Sequence, residues 1–99
     1  MKFFWIETAI CLGDSVDLSQ RRSEFHAHLS DNFPKVYNYV RRLVRRPETA
    51  EDLTQEAFLK AWQAFDRFDP QKSFLPWILQ IARHTALDYF RKHRELILP

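Results

Sequence analysis

The sequence predicts an all-α fold, a compact helical bundle of three to four helices, on three observations. The 99 residues include one glycine and no Asn-Gly or Gly-Gly pair, so the usual hairpin turns have no sequence to form them. Apolar residues recur at spacings of three and four, the period of an amphipathic helix. Pro34 and Pro76 fall where a first helical turn is expected, a position that tolerates a missing N–H. A chain of this length makes one small domain with a single core.

The first helical segment runs from about Asp14 or Asp17 to Leu29, with Leu18, Phe25 and Leu29 on one side. Ser30, Asp31 and Asn32 then offer capping side chains, and Pro34 suits the first turn of a second helix. That helix sets Phe33, Val36, Tyr37, Val40 and Val44 on its inner side and Arg41, Arg42, Arg45 and Arg46 elsewhere. Pro47 stops it, because a proline disfavours helix at the residue before it and cannot donate to the ladder. Glu48 and Thr49 open a third helix, where early acidic residues suit the dipole. Its apolar stripe is Leu53, Ala57, Ala61, Ala64 and Phe65. Asp66 to Ser73 forms a polar loop around the turn signal Asp69-Pro70. The fourth helix starts near Ser73 or Phe74, buries Phe74, Ile78, Ile81, Ala82, Thr85 and Tyr89, and ends at Arg91-Lys92-His93-Arg94.

Net charge is only +2, so the distribution of charge says more than its sum. Basic residues from Lys35 to Arg46 precede the acidic group Glu48, Glu51, Asp52 and Glu56, and the C-terminal end is basic again. Blocks of opposite sign suit two faces with two partners, or else simply solvate the helices. Cys11 is the single cysteine, which rules out an intrachain disulfide and suits a reducing compartment. The apolar start, Met1 to Ile6, is interrupted by Glu7, is too short to span a bilayer and has no small-residue cleavage site after it. A cytoplasmic protein without membrane contact is expected. Residues 1–13 read as an N-terminal segment without an assignable role, and residues 14–99 as the domain.

Two helix faces carry candidate chemistry. Asp52, Gln55, Glu56 and Leu59 lie at i, i+3, i+4 and i+7, on the side away from the apolar stripe. They read either as ordinary surface or as a small interface with an apolar anchor among charges. On the fourth helix Trp77, Gln80, His84 and Arg91 form a stripe flanked by Arg83 and Leu87. A tryptophan beside arginines offers a stacking surface and phosphate partners to single-stranded nucleic acid. Taken on its own, the same tryptophan reads first as a plug for the core between helices.

The run Asp52-Leu53-Thr54-Gln55-Glu56-Ala57-Phe58 resembles region 2.2 of bacterial sigma factors. Phe74-x-x-Trp77-Ile78-x-x-Ile81-Ala82-Arg83 resembles regions 2.3 and 2.4 of the extracytoplasmic-function group, and the arginine-rich second helix resembles region 2.1. The resemblance spans roughly Phe25 to Arg94. It implies that Asp52, Gln55, Glu56 and Leu59 dock on a basic coiled coil of the RNA polymerase β′ subunit. It also implies that the fourth helix holds the non-template strand of the promoter −10 element through Trp77, Gln80, Arg83, His84 and Arg91. The preceding loop would form a pocket for an extruded base, which makes Arg67, Phe68, Lys72 and Ser73 candidates. One position departs from the family: His84 stands where asparagine is usual. Asparagine donates and accepts at once, whereas a protonated histidine only donates, so the base preference of relatives is not expected to carry over. Members of the group normally carry a second domain, region 4, so the chain is expected to be a fragment of a longer sigma factor or, less in keeping with the family, a stand-alone region 2. An anti-sigma factor is a further partner the resemblance allows.

Other chemistry finds no support in the sequence. His26 and His28 are two apart and point to different sides of a helix, so no metal site is expected. There is no glycine-rich phosphate loop and no nucleophile–base constellation, so neither a cofactor nor an enzymatic activity is expected. The competing expectation is a helical adaptor that binds protein partners without recognising DNA.

Overall fold

The computed structural model describes residues 16–93, with side chains from Ser19 onward. The expected segment 1–13, Cys11, the side chain of Leu18 and Arg94 lie outside the described residues. Three α-helices and one short 3-10 turn build the described bundle: α1 (Val16–Leu43), α2 (Pro47–Gln63), the turn (Phe65–Arg67) and α3 (Phe74–Lys92). Each helix packs against the other two. No described helix is long and apolar enough to cross a membrane.

The first two expected helices are one. α1 runs unbroken through Ser30, Asp31, Asn32 and Pro34. The proposed cap therefore does not form: the Asn32 amide instead donates back to the His28 carbonyl at 2.8 Å. Pro34 is tolerated because it lies on the exposed side of the helix, as does Ser30 four residues earlier. The carbonyl that the proline leaves without its helical donor is thus on the wet side, where water replaces the missing bond. The inner side continues without interruption through Phe25, Leu29, Val36 and Val40, all fully buried.

Helix α1 ends at Leu43, and Arg41 rather than a proline finishes it. Its Nη1 donates to the carbonyls of Val44 at 3.3 Å and Arg45 at 2.8 Å, which belong to the link just past the helix and are held back against its last turn. Arg46 is extended (φ −84°, ψ 124°), as a residue before proline prefers, and Pro47 takes the first turn of α2. We expect Arg41→Met, which keeps the stem and removes the donors, to cost about 1 kcal/mol in chemical denaturation. An unchanged midpoint would mean that water serves those carbonyls equally well.

The core combines aromatic rings with small side chains. Phe25, Phe58, Phe65 and Phe74 are buried, with Ala50, Ala57, Ala61, Ala82 and Ala86 allowing the helix backbones to approach. The apolar stripe expected for α2 is buried except Ala64, which is half-buried, and Phe65 belongs to the 3-10 turn rather than the helix. Two threonines are buried as well. Thr54 and Thr85 each donate to the carbonyl one turn earlier, at 2.7 and 2.8 Å, so neither hydroxyl is stranded. Ile81 and Tyr89, expected in the core, are half-buried at its edge.

Candidate functional site

On α2 the expected docking face is where helical periodicity puts it. Asp52 and Glu56 are exposed, and Gln55 and Leu59 are half-buried. Leu59 is thus a partly sheltered anchor and not the freely exposed leucine that spacing alone suggests. Glu56 pairs with Lys60 at 3.3 Å, and Lys60 also donates to the buried Thr85 hydroxyl of α3 at 3.3 Å. The exposed pair contributes little to stability. Its geometry nonetheless ties the acidic face of α2 to the next helix.

On α3, Gln80, Arg83, His84 and Arg91 are exposed, together with Leu87 at 42%. Arg91 forms the local ion pair with Asp88 that their spacing predicts. Trp77 falls between the two sequence readings. It is half-buried rather than exposed, because it sits at the border of the buried side of α3 and leans on aromatic neighbours. Its ring centroid is 4.9 Å from Phe68 and 5.6 Å from Phe74. The residual exposure leaves part of the indole available beside the polar stripe.

The segment between α2 and α3 is not a plain polar connector. Phe65 is buried and Phe68 half-buried, their rings stacked at 5.7 Å with an 11° interplanar angle. Asp69 Oδ1 accepts from the Gln71 backbone N–H at 2.9 Å, an Asx turn that reverses the chain at Pro70. Arg67, Lys72 and Ser73 are exposed.

Against this segment lies a cleft of about 430 Å³. Of the four expected pocket residues, Phe68 and Lys72 line it, while Arg67 and Ser73 do not; its other wall is α1, through Arg21, Glu24 and His28. Sequence reasoning missed that wall. Its one signal was the spacing i, i+3, i+7, which sets the three side chains on one face. His28 lies flat on Phe74, with centroids 4.4 Å apart and planes 3° apart. Arg21 holds its guanidinium 5.8 Å from the Trp62 ring centre and 5.9 Å from that of Phe65, within cation–π range. Phe68 both lines the cleft and touches Trp77, so aromatic surface runs without a gap from the stripe on α3 into the cleft. Among the described residues no group of His, Cys, Asp and Glu side chains could hold a metal ion.

Comparison with known proteins follows the same division. The model of sigma-70 region 2 matches residues 29–95. The RNA polymerase sigma factor CarQ of Myxococcus xanthus is 36% identical over 63 residues, covering 64% of this chain and 36% of that protein. The ECF RNA polymerase sigma factor SigM of Bacillus subtilis is 37% identical over 60 residues, 61% of this chain and 36% of its own length. A probable RNA polymerase sigma factor, RfaY of Xanthomonas campestris, is 46% identical over 52 residues, 52% of this chain and 13% of its own. The chain thus spans little more than a third, at most, of the length of these relatives. No solved structure matches it.

Proposed function

The chain belongs to the sigma-70 region 2 family, in its extracytoplasmic-function group, and from that premise we propose that it docks on RNA polymerase and captures the melted −10 strand of a promoter. The observation that carries the reading is the aromatic contact from Trp77 through Phe68 to the cleft, which Lys72 lines, with Arg67 and Arg83 exposed on the neighbouring segment and helix. Stacked rings beside cations are what a single strand needs: bases meet π faces and phosphates meet charge. Base–aromatic stacking is worth about 1–3 kcal/mol per base, comparable to the few kcal/mol that extruding a base costs. Binding energy alone can therefore hold an opened strand, with no reaction assigned to the chain.

In this reading Trp77, Gln80, Arg83, His84 and Arg91 follow the non-template strand, and Phe68 with Lys72 receives an extruded base. Arg67 and Ser73 serve the approach to that pocket. Asp52, Glu56, Gln55 and Leu59 meet the basic β′ coiled coil, the carboxylates steering association and Leu59 anchoring it. The protein acts in the cytoplasm, within residues 14–99, and an anti-sigma factor would compete for the same faces.

The test is fluorescence anisotropy of a labelled non-template −10 oligonucleotide at two salt concentrations. If about four cations meet phosphates, the logarithm of affinity falls with that of salt with a slope of about −3. Binding that ignores salt, or none at any salt, removes the strand-capture reading and leaves the protein adaptor. For the docking face, Asp52→Arg is expected to weaken binding to the isolated β′ coiled coil about tenfold or more, by about 1.4 kcal/mol. A pull-down in which the variant matches the wild type would move the docking surface off this helix.

A further inference from the structure

The sequence holds four histidines, and their surroundings set one apart. His28 lies flat on Phe74, and His93 stacks on Tyr89 with its Nδ1 3.0 Å from the Tyr89 carbonyl oxygen. His26 is half-buried and engaged as well. His84 is exposed on the stripe of α3, and no hydrogen bond, ion pair or ring contact holds its imidazole among the described residues. The acid one turn on, Asp88, pairs with Arg91 instead. One turn back stands the uncharged Gln80, and Arg83 is the residue before it in sequence. From α2 the charged groups on this side are Glu56 and Lys60, paired with each other, and Lys60 bonds Thr85 next to His84. The titratable side chain that α1 stacks on α3 is His28, at Phe74, about 15 Å along the axis from His84. No carboxylate is committed to this ring.

We propose that His84 links strand capture to protons, so that affinity for a single strand rises as pH falls through the histidine range. The inference rests on the strand-capture reading above and adds a regulating variable to its stripe. Neutral imidazole can donate or accept, whereas imidazolium donates from both nitrogens and carries charge. Asp88 and Glu56 already have cationic partners, so the anions left for this ring are the phosphates of a bound strand. A phosphate beside the ring favours its charged form, and the complex takes up a proton that the free chain does not hold. A group that gains protons on binding strengthens the complex at low pH, and that gain is lost as pH rises. Position supports the assignment, since Gln80 and Arg91 stand at i−4 and i+7 from His84 on the face the strand follows. Arg83 and Arg91 stay charged throughout and hold a strand at any of these pH values, while His84 adds to them as its ring charges.

The experiment titrates labelled oligo-dT of about twelve nucleotides, whose bases do not change charge between about pH 5.5 and 8, with the chain across that range. Wild-type affinity is expected to be about three- to fivefold tighter at the acid end. The salt slope should steepen there by about 0.7, the equivalent of one more phosphate neutralised on a single strand. His84→Asn should lose both changes, and His84→Arg, a fixed cation, should bind with no pH response. His93→Gln, which alters a histidine off the stripe, should keep the response. Circular dichroism at each pH checks the fold, which a substitution at an exposed position is not expected to disturb. A flat wild-type profile, or a response that persists in His84→Asn or disappears in His93→Gln, overturns the inference while the strand-capture reading stands. If the wild type binds at no pH even at low salt, the strand-capture reading fails and this inference falls with it.

Discussion

Phe25→Ala is expected to destabilise the domain by about 3–5 kcal/mol, the largest effect of any single substitution considered. Phe25 is fully buried on α1, with its ring centroid 5.2 Å from Phe65, 5.4 Å from Trp62, 6.0 Å from Phe74 and 6.4 Å from Phe58. Those partners belong to α2, the 3-10 turn and α3, so one ring joins every described element. Truncation removes transfer free energy, leaves a cavity among rigid rings that cannot collapse, and forfeits edge-to-face pairs worth about 0.5–1.5 kcal/mol each. A domain of this size has roughly 5–15 kcal/mol in total, so about a fifth or more of it disappears. Thermal unfolding followed by far-ultraviolet circular dichroism should show a midpoint lower by roughly 15 °C or more. Phe25→Leu, which refills much of the volume, should recover most of that loss. A shift of only a few degrees for the alanine variant would mean that the bundle is not organised about this ring.

Trp77→Ala is expected to weaken binding of a −10 non-template strand by about 5- to 150-fold, the equivalent of one stacked base. Because the indole is half-buried against Phe68 and Phe74, the substitution also removes packing, and the two losses have to be separated. Trp77→Phe does this: it keeps an aromatic face and should retain most of the affinity. Titrations belong well below the melting point of each variant, so that only folded protein is compared. The salt slope should be the same in all three proteins, since stacking does not change the number of phosphates neutralised. Equal affinity of wild type and Trp77→Ala would assign the ring to the core alone.

Much of this was legible in the sequence, and the failures have physical causes. The all-α class and the buried sides of α2 and α3 follow from periodicity, because on an amphipathic helix local spacing already decides which side faces the core. Asp52 and Glu56 were readable for the same reason. The break expected at Asn32–Pro34 was not there. Proline and a capping residue mark a helix boundary only when the buried side also stops, and here Val36 and Val40 continue the side begun by Phe25 and Leu29. Trp77 stayed open between strand contact and core because its angular position lies on the border, where its neighbours in space decide its exposure. The α1 wall of the cleft left one local sign, the shared helix face of Arg21, Glu24 and His28, which does not say what that face meets. Glu24 and Asp66 are ordinary surface residues in sequence, and only the packing of α1 against the connecting segment makes them share a cleft.

The continuity of α1 through Pro34 has a mechanical consequence. A helix of 28 residues is a rod of about 42 Å, and Arg21, Glu24 and His28 are mounted on the same rod as Val36 and Val40. Had a loop intervened at residues 30–33, the cleft wall could swing while the rest of the bundle stayed still. Without that slack, the opening of the cleft is set by how the far half of the helix is seated. Substitutions beneath Val36 or Val40 act at a distance, as a shifted fulcrum moves the end of a beam.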